Sequence, residues 1–132
     1  MTPFTPPTAD QLLAIRINAG IEELAATERF AHAEPDLVEA IVEGVGQFAA
    51  GEFAPLNRKG DLEGAKLENG RVRLPEGFEA AYQAYVEQGW NAIASPAAHG
   101  GQGLPFTLAC NVLENLGAAN MAFTLLPMLS VG

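Results

Sequence analysis

Apolar residues recur every three or four positions over most of the chain, which is the spacing of one face of an α-helix. The first such stretch predicts a helix from Ala9 to about Ala31, with Thr8 or Asp10 as its cap. Gly20 weakens this helix, because glycine costs about 1 kcal/mol relative to alanine. Its apolar face would consist of Leu13, Ile17, Ile21 and Leu24. Prolines at positions 3, 6 and 7 predict an extended arm over residues 1–8.

A second helical pattern begins after Pro35, where Asp36 and Glu39 have the spacing of a capping box. Its apolar stripe is formed by Leu37, Ile41, Val45 and Phe48. Three glycines lie in or next to this stretch, at positions 44, 46 and 51. They indicate either the close approach of a neighbouring backbone or a loosely formed helix. Pro55 is expected to end or kink the helix.

The polar residues 57–69 lead into a short β-hairpin. Residues 65–67 and 71–74 flank Asn69-Gly70, a dipeptide that readily takes the positive φ angles of a type I′ turn. We expect this hairpin, near residues 65–74, to decorate the fold rather than to form a core sheet.

Prolines mark the start of two further helices. The first begins at Pro75, is closed by Gly89, and carries Phe78, Tyr82, Tyr85 and Val86. The second begins at Pro105, ends at Gly117, and buries Leu108, Val112, Leu113 and Leu116. A last helix is predicted from Ala118, with Pro127 bending or interrupting it. The chain therefore reads as all-α with one small hairpin.

The last helix is apolar around its whole circumference. Its apolar side chains are Met121, Phe123, Leu125, Leu126, Met128, Leu129 and Val131. Leaving three or four of them in water forfeits about 5–10 kcal/mol, which is comparable with the stability of a whole domain. Such a helix requires protein or ligand on all sides. Because the chain stops at Gly132 with no polar tail, we expect it to be a piece cut from a larger protein.

Composition and charge exclude some partners. The 132 residues are about one domain in length, with 48% hydrophobic and 17% charged residues. Seven Lys and Arg against sixteen Asp and Glu give a net charge of −9, which disfavours nucleic acid as a partner.

Nothing in the sequence directs the chain to a membrane or to export. Cys110 cannot form an internal disulfide, fits a reducing compartment, and is expected to be a small buried apolar residue. The first ten residues lack the basic and apolar regions of a signal peptide. The apolar run 121–131 is too short to span a bilayer. We therefore expect a cytoplasmic protein without a membrane span.

The glycine-rich loop His99-Gly100-Gly101-Gln102-Gly103 invites three functional interpretations. An esterase oxyanion loop would need a Gly-x-Ser-x-Gly elbow, and the two serines, Ser95 and Ser130, lie in no such context. A dinucleotide-binding fingerprint would need a third glycine where Phe106 stands, and a P-loop would need Gly-Lys-Ser/Thr. The favoured interpretation is structural: the glycines let the chain turn tightly into the next helix.

Other chemically active residues form no recognisable site. His32 and His99 lack acidic or cysteine neighbours at metal-ligand spacing. Glu114 lies in an otherwise apolar helix, where a helix-surface position is favoured over a catalytic base. The aromatic residues are expected in the core, since no basic residues interleave with them. The sequence pattern alone therefore indicates neither a catalytic residue nor a metal site.

A series of motifs in a fixed order carries a family resemblance. The series is Phe78-x-x-Ala81-Tyr82, Gly89-Trp90, Pro96-x-x-x-Gly100-Gly101-x-Gly103, Leu113-Glu114-x-Leu116 and Asn120-Met121-Ala122-Phe123. It resembles the N-terminal helical domain of the acyl-CoA dehydrogenases. Ala54-Pro55-Leu56-Asn57 and the arm before it resemble the long-chain subgroup that includes the 3-methylmercaptopropionyl-CoA dehydrogenases. On this basis residues 1–35 are an N-terminal arm and helix, and residues 36–132 are the helical domain, truncated.

The resemblance implies an FAD-dependent enzyme that oxidises an acyl-CoA to the trans-2-enoyl-CoA. In the family a glutamate removes the α-proton, the β-hydride passes to FAD, and the electrons leave to an electron-transfer flavoprotein. Flavin contacts and the catalytic glutamate belong mainly to later β-barrel and four-helix domains. We therefore expect this chain alone to be inactive and to bind no FAD.

The resemblance also assigns one wall of the acyl pocket to this domain, mostly from the helix that begins near Ala118. The candidates to face the acyl chain are Met121, Thr124, Leu125 and Met128. The alternative is a stand-alone helical protein-interaction module, whose apolar final helix docks into a partner or self-associates. In both cases the surplus of apolar surface predicts a homo-oligomer. A peripheral membrane helix is disfavoured by the absence of basic residues beyond Arg73.

Overall fold

The computed structural model of the chain describes residues 3–131. Within them the helices are α1 (Thr8–Ile17), α2 (Ile21–Ala25), α3 (Pro35–Phe48), α4 (Ala54–Glu63), α5 (Phe78–Glu87) and α6 (Phe106–Val131). One hairpin, β1 (Lys66–Glu68) and β2 (Arg71–Arg73), lies between α4 and α5. A π-helical turn at Ala49–Phe53 joins α3 to α4, and short 3₁₀ turns lie at Glu28–Phe30, Trp90–Ala92 and Ala97–His99. The predicted all-α class with one small hairpin is confirmed.

The core lies where α3, the π-helical turn and α6 meet. Aliphatic side chains fill its centre, with Val42, Val45, Leu108, Val112 and Leu116 each at most 1% exposed. Aromatic rings close the end of the core that is nearest to α5. Phe53 stacks on Phe123 with ring centroids 4.4 Å apart, and Phe78 lies 4.6 Å from the same ring. The aromatic residues Phe78 and Tyr85 are buried, as the sequence predicted, but the expectation for Phe106 is wrong, because it is 64% exposed.

The single helix predicted over residues 9–31 is wrong. The chain breaks at Gly20, which takes the left-handed conformation (φ 57°, ψ 41°) and separates α1 from α2. The predicted apolar face of α1 is also wrong, because Leu13 and Ile17 are 57% and 71% exposed while Ile15 is buried. No side-chain cap forms at the start of the helix. The N-cap position is occupied by Pro7, and α1 packs against α3.

Side-chain hydrogen bonds join α1 to α6. Asn115 Nδ2 donates a hydrogen bond to Gln11 Oε1 (3.1 Å), and Gln11 Nε2 donates to Glu114 Oε1 (3.2 Å). Gln11 and Asn115 are 6% and 0% exposed, so the first of these bonds lies in a dry contact between α1 and α6. Glu114 itself is exposed, which agrees with its interpretation as a helix-surface residue.

Helix α3 follows the predicted pattern along most of its length. Ile41, Val45 and Phe48 are buried, whereas Leu37 is 40% exposed. Pro35 is the first residue of the helix, and the predicted capping box is wrong, because no side-chain cap forms. Side chains, not a neighbouring backbone, approach Gly44 and Gly46. A Cβ built at position 44 would lie 3.2 Å from the Trp90 ring, and one at position 46 would lie 2.8 Å from Pro6 Cβ.

Pro55 does not end the helix. The π-helical turn precedes it, Ala54 N–H bonds to Ala49 O, and Pro55 then lies in the first turn of α4. A proline is tolerated there because a first-turn N–H has no partner within the helix. Helix α4 covers part of the segment that the sequence indicated only as polar, and none of its residues is fully buried.

The hairpin forms as predicted. Its strands are antiparallel with Leu67 opposite Val72, and Asn69 and Gly70 have φ angles of 53° and 76°, as a type I′ turn requires. All six strand residues are exposed, so the hairpin is indeed a decoration.

The later helices differ from the prediction at their ends. Helix α5 begins at Phe78 rather than at Pro75, because Gly77 (φ 98°) precedes it, and Gly89 (φ 77°) closes it as predicted. Gly117 does not end the next helix, and the backbone leaves the helical conformation three residues later, at Asn120. The expectation for Cys110 is wrong, because its side chain is exposed.

Candidate functional site

The break at Asn120 divides α6 into a proximal segment, residues 106–119, and a distal segment, residues 121–131. Asn120 has an extended backbone (φ −158°, ψ 85°) inside an otherwise helical run. In a straight helix Phe106 and Ser130 would lie about 36 Å apart. Both residues line one cavity of about 480 Å³. The distal segment therefore does not continue the proximal segment in a straight line.

Side-chain hydrogen bonds cap the distal segment where it starts. Asn120 Oδ1 accepts from the Phe123 backbone N–H (3.1 Å), as an N-cap residue does. Thr124 Oγ1 donates to the Asn120 carbonyl (2.8 Å). Asn120 Nδ2 donates across the molecule to the Phe53 carbonyl (3.2 Å). The start of the segment is thus fixed both locally and against the π-helical turn.

The outer face of the distal segment is a continuous apolar surface, which we call the apolar wall. It consists of Met121, Leu125, Leu126, Met128 and Leu129, between 41% and 80% exposed. No side chain on this wall carries a charge or a hydrogen-bonding group. The predicted surplus of apolar residues is therefore exposed in the chain by itself. The side chain of Val131, also expected there, lies outside the described residues.

The structure brings three of the four predicted acyl-facing residues together. Met121, Leu125 and Met128 lie on the apolar wall, at the i, i+4 and i+7 positions that share a helix face. Thr124 is only 2% exposed, on the inner side of the segment. It meets Met121 at Gly117: a Cβ built there would lie 3.4 Å from Met121 Cε and 4.0 Å from Thr124 Cγ2.

An open groove of about 820 Å³ adjoins the apolar wall. Its apolar lining comes from three elements: Val72 and Leu74 near the hairpin, Tyr82 from α5, and Phe123 and Leu126 from the distal segment. Charged groups occur in the same lining as Arg73, Glu76 and Glu79. The groove can therefore accept an apolar chain along the edge of the wall.

Asn120 is the site residue that the sequence prediction missed. An asparagine directly before an apolar run is a common N-cap signal, which could have placed the break there. Gly117 offered the competing signal, but the helix continues through it as far as Asn120.

Acid–base and metal chemistry find little support in the described residues. Within residues 3–131, no group of three His, Cys, Asp or Glu side chains is placed to hold a metal ion. The titratable group whose pKa clearly departs from its ordinary value is Tyr85, where burial, and secondarily the neighbouring Tyr82, raise the pKa to about 12. A phenol with that pKa stays protonated at neutral pH.

Helix α6 is long and apolar enough, by length and composition alone, to cross a membrane. Its backbone is broken at Asn120, however, and buried amides at 111, 115 and 120 face the interior of the domain. These features are typical of the core helix of a folded domain rather than of a membrane span.

The structure is a helical domain with one small hairpin and an exposed apolar wall. Residues 35–132 match the family model described as acyl-CoA dehydrogenase, N-terminal domain. The chain therefore belongs to the acyl-CoA dehydrogenase family, as its N-terminal helical domain.

A curated relative supports the same assignment. The chain is 39% identical over 129 residues to the 3-methylmercaptopropionyl-CoA dehydrogenase of Ruegeria pomeroyi. This similarity covers 98% of the chain and 22% of the relative. The chain thus spans about a fifth of the length of that dehydrogenase.

The apolar wall does not fit FAD, the cofactor that the family implies. A flavin dinucleotide needs hydrogen-bond donors or cations for its pyrophosphate. The apolar wall supplies none, and Ser130, beside it, already donates to the Leu126 carbonyl (3.0 Å). This wall therefore suits an apolar group rather than a pyrophosphate.

Proposed function

We propose that this chain is the N-terminal part of an acyl-CoA dehydrogenase and forms one wall of its acyl pocket. The observation that carries the proposal is the apolar wall, because five neighbouring exposed apolar side chains on a domain of this family need a covering group. An acyl chain satisfies that need without any hydrogen bond.

Within this proposal the four predicted residues have different roles. Met121, Leu125 and Met128 contact the acyl chain, since they are exposed on the wall. Thr124 supports the wall from the inner side of the distal segment. Its hydroxyl bonds to the Asn120 carbonyl, and its methyl group lies close to Gly117, next to Met121. We further propose that residues 1–35 are an N-terminal arm and helix that precede the dehydrogenase domain proper, against which α1 packs.

The remaining parts of the proposal come from the family. The complete enzyme would convert an acyl-CoA to the trans-2-enoyl-CoA, with FAD as the electron acceptor held by domains outside this chain. An electron-transfer flavoprotein would receive the electrons, the enzyme would be a homo-oligomer, and its location would be cytoplasmic.

The test compares two purified proteins: the 132-residue chain and the complete polypeptide encoded by its reading frame. We expect the complete polypeptide to bind FAD and to lose its flavin absorbance when an acyl-CoA is added. The chain alone should bind neither stoichiometrically. Flavin bleaching by the chain alone would contradict the proposed division of labour.

The second candidate is a stand-alone interaction module, which the same exposed apolar surface would serve. A reading frame that stops after Gly132 would favour the module and overturn the dehydrogenase proposal. A frame that continues into a β-rich segment would favour the enzyme.

A further inference from the structure

The contact between Asn120 and Phe53 joins the two irregular points of the helical framework. Phe53 ends the π-helical turn between α3 and α4, and Asn120 is the break in α6. Their hydrogen bond, from Asn120 Nδ2 to the Phe53 carbonyl, measures 3.2 Å. π-helical turns and breaks of this kind cost stability and are frequent at functional sites.

The Asn120 side chain uses both ends of its amide. Its nitrogen donates to Phe53, its oxygen accepts from the Phe123 N–H, and the residue is 2% exposed. A carboxylate could keep the second bond but not donate the first, and a serine is too short to make both. The position therefore requires an amide of this length.

Aromatic stacking also joins the π-helical turn to the distal segment. Phe53 stacks on Phe123 with centroids 4.4 Å apart and an interplanar angle of 17°. The π-helical turn thus holds the distal segment at two points in its first turn, one polar and one aromatic. The apolar wall lies on the face of the distal segment opposite to these contacts. The contacts therefore determine the position of the wall.

We propose that Asn120 is a positioning residue that sets the place of the apolar wall through its bond to the Phe53 carbonyl. The consequence for substrate binding rests on the proposed function: in the complete enzyme, Asn120 fixes the wall against the acyl chain without touching it.

The first test measures hydrogen–deuterium exchange in the 132-residue chain. Asn120→Asp removes the donor and places two oxygen atoms against each other, and Asn120→Ser is the milder variant. The matched controls are Asn115→Asp and Asn115→Ser. Asn115 is also a fully buried amide of α6, but its side chain bonds to Gln11 of α1. We expect exchange of residues 121–130 to accelerate about tenfold in the Asn120 variants. The controls should accelerate exchange in α1 instead. Equal acceleration of residues 121–130 in both pairs would overturn the inference, whatever the protein catalyses.

The second test uses the complete polypeptide encoded by the reading frame. We expect Asn120→Ser to raise KM for the acyl-CoA about tenfold while kcat changes less than about twofold, because only uniform binding is lost. Asn115→Ser should leave both constants near their wild-type values. A fall in kcat at unchanged KM would overturn the positioning role. A wild-type polypeptide that oxidises no acyl-CoA would instead refute the proposed function, while the exchange result still decides the role of Asn120.

Discussion

Gly101 has no room for a side chain. A Cβ built there would overlap the backbone carbonyl of Ser95. The same carbonyl accepts a hydrogen bond from the Gly103 N–H (2.9 Å), and the Leu104 N–H donates to the Ile93 carbonyl (3.0 Å). The loop is therefore hydrogen-bonded to the preceding turn. The structural interpretation of the glycine loop is thus confirmed.

Replacing Gly101 by alanine should therefore push two backbones apart. We expect Gly101→Ala to lower the free energy of unfolding by about 3 kcal/mol, measured by urea denaturation. The control is Gly51→Ala, because nothing lies within 4 Å of a Cβ at that position and its turn is helical. That variant should be neutral or stabilised by up to about 1 kcal/mol. Equal effects of the two substitutions would contradict the steric explanation.

Tyr85 makes stability depend on alkaline pH. Burial raises its pKa from the ordinary value of 10.0 to about 12, so the folded state holds a proton that the unfolded state has lost between these pH values. Stability is fully present below pH 10 and falls as pH rises toward 12. The loss is on the order of 2 kcal/mol, since one pKa unit is worth about 1.4 kcal/mol.

Tyr85→Phe provides the check for this dependence. Unfolding free energies measured from pH 9 to pH 12 should fall less steeply in the variant than in the wild-type chain. Tyr82→Phe removes only the smaller cause of the raised Tyr85 pKa, so it should lessen the fall less than Tyr85→Phe does. Parallel slopes for the wild type and Tyr85→Phe would show that other groups control the alkaline transition.

Among the elements, the break between α1 and α2 depends on the conformation of Gly20. With φ 57° and ψ 41° it lies in the left-handed region, while a Cβ there would meet only Glu23, at 3.7 Å or more. The cost of a side chain is therefore backbone strain, not a clash. We expect Gly20→Ala to lose about 1–2 kcal/mol of stability, and Gly20→Asn clearly less, since asparagine tolerates this region. Thermal or urea denaturation distinguishes them, and equal losses would point to a steric cause.

Elements set by local rules could be predicted from the sequence, and elements set by distant contacts could not. Asn69-Gly70 gave the hairpin and Gly89 gave the end of α5, because positive φ angles are a property of those residues. The break in α6 was predicted at Gly117, but lies at Asn120, whose amide bonds to a residue 67 positions away in the chain. The sequence held the local N-cap signal of Asn120, but no rule that acts within one helical turn contains its contact with Phe53.

On the scale of the whole molecule, we expect the apolar wall to control association. Leu125 and Leu129 are 47% and 80% exposed and lie one helical turn apart. We expect the double variant Leu125→Gln, Leu129→Gln to reduce binding of a hydrophobic fluorescent dye by roughly half, and to shift the chain toward monomer in analytical ultracentrifugation.

The matched control changes two exposed leucines elsewhere, Leu62 and Leu67, which are 69% and 74% exposed on α4 and the hairpin. Leu62→Gln with Leu67→Gln should reduce dye binding clearly less, because these side chains lie on two different elements and neither belongs to the wall. A reduction as large as that of the wall variant would mean that total apolar exposure, not the wall, governs association.

The sequence by itself determined the helical class, the hairpin, the family and the surplus of apolar residues after Asn120, because these follow from residue spacing, turn chemistry and motif order. It also put Met121, Leu125 and Met128 on one helix face. Only the tertiary structure decided that Thr124 lies inside while these three lie outside. Burial depends on which distant surface a segment meets, and here the Phe53 carbonyl and ring select the face that the distal segment turns inward.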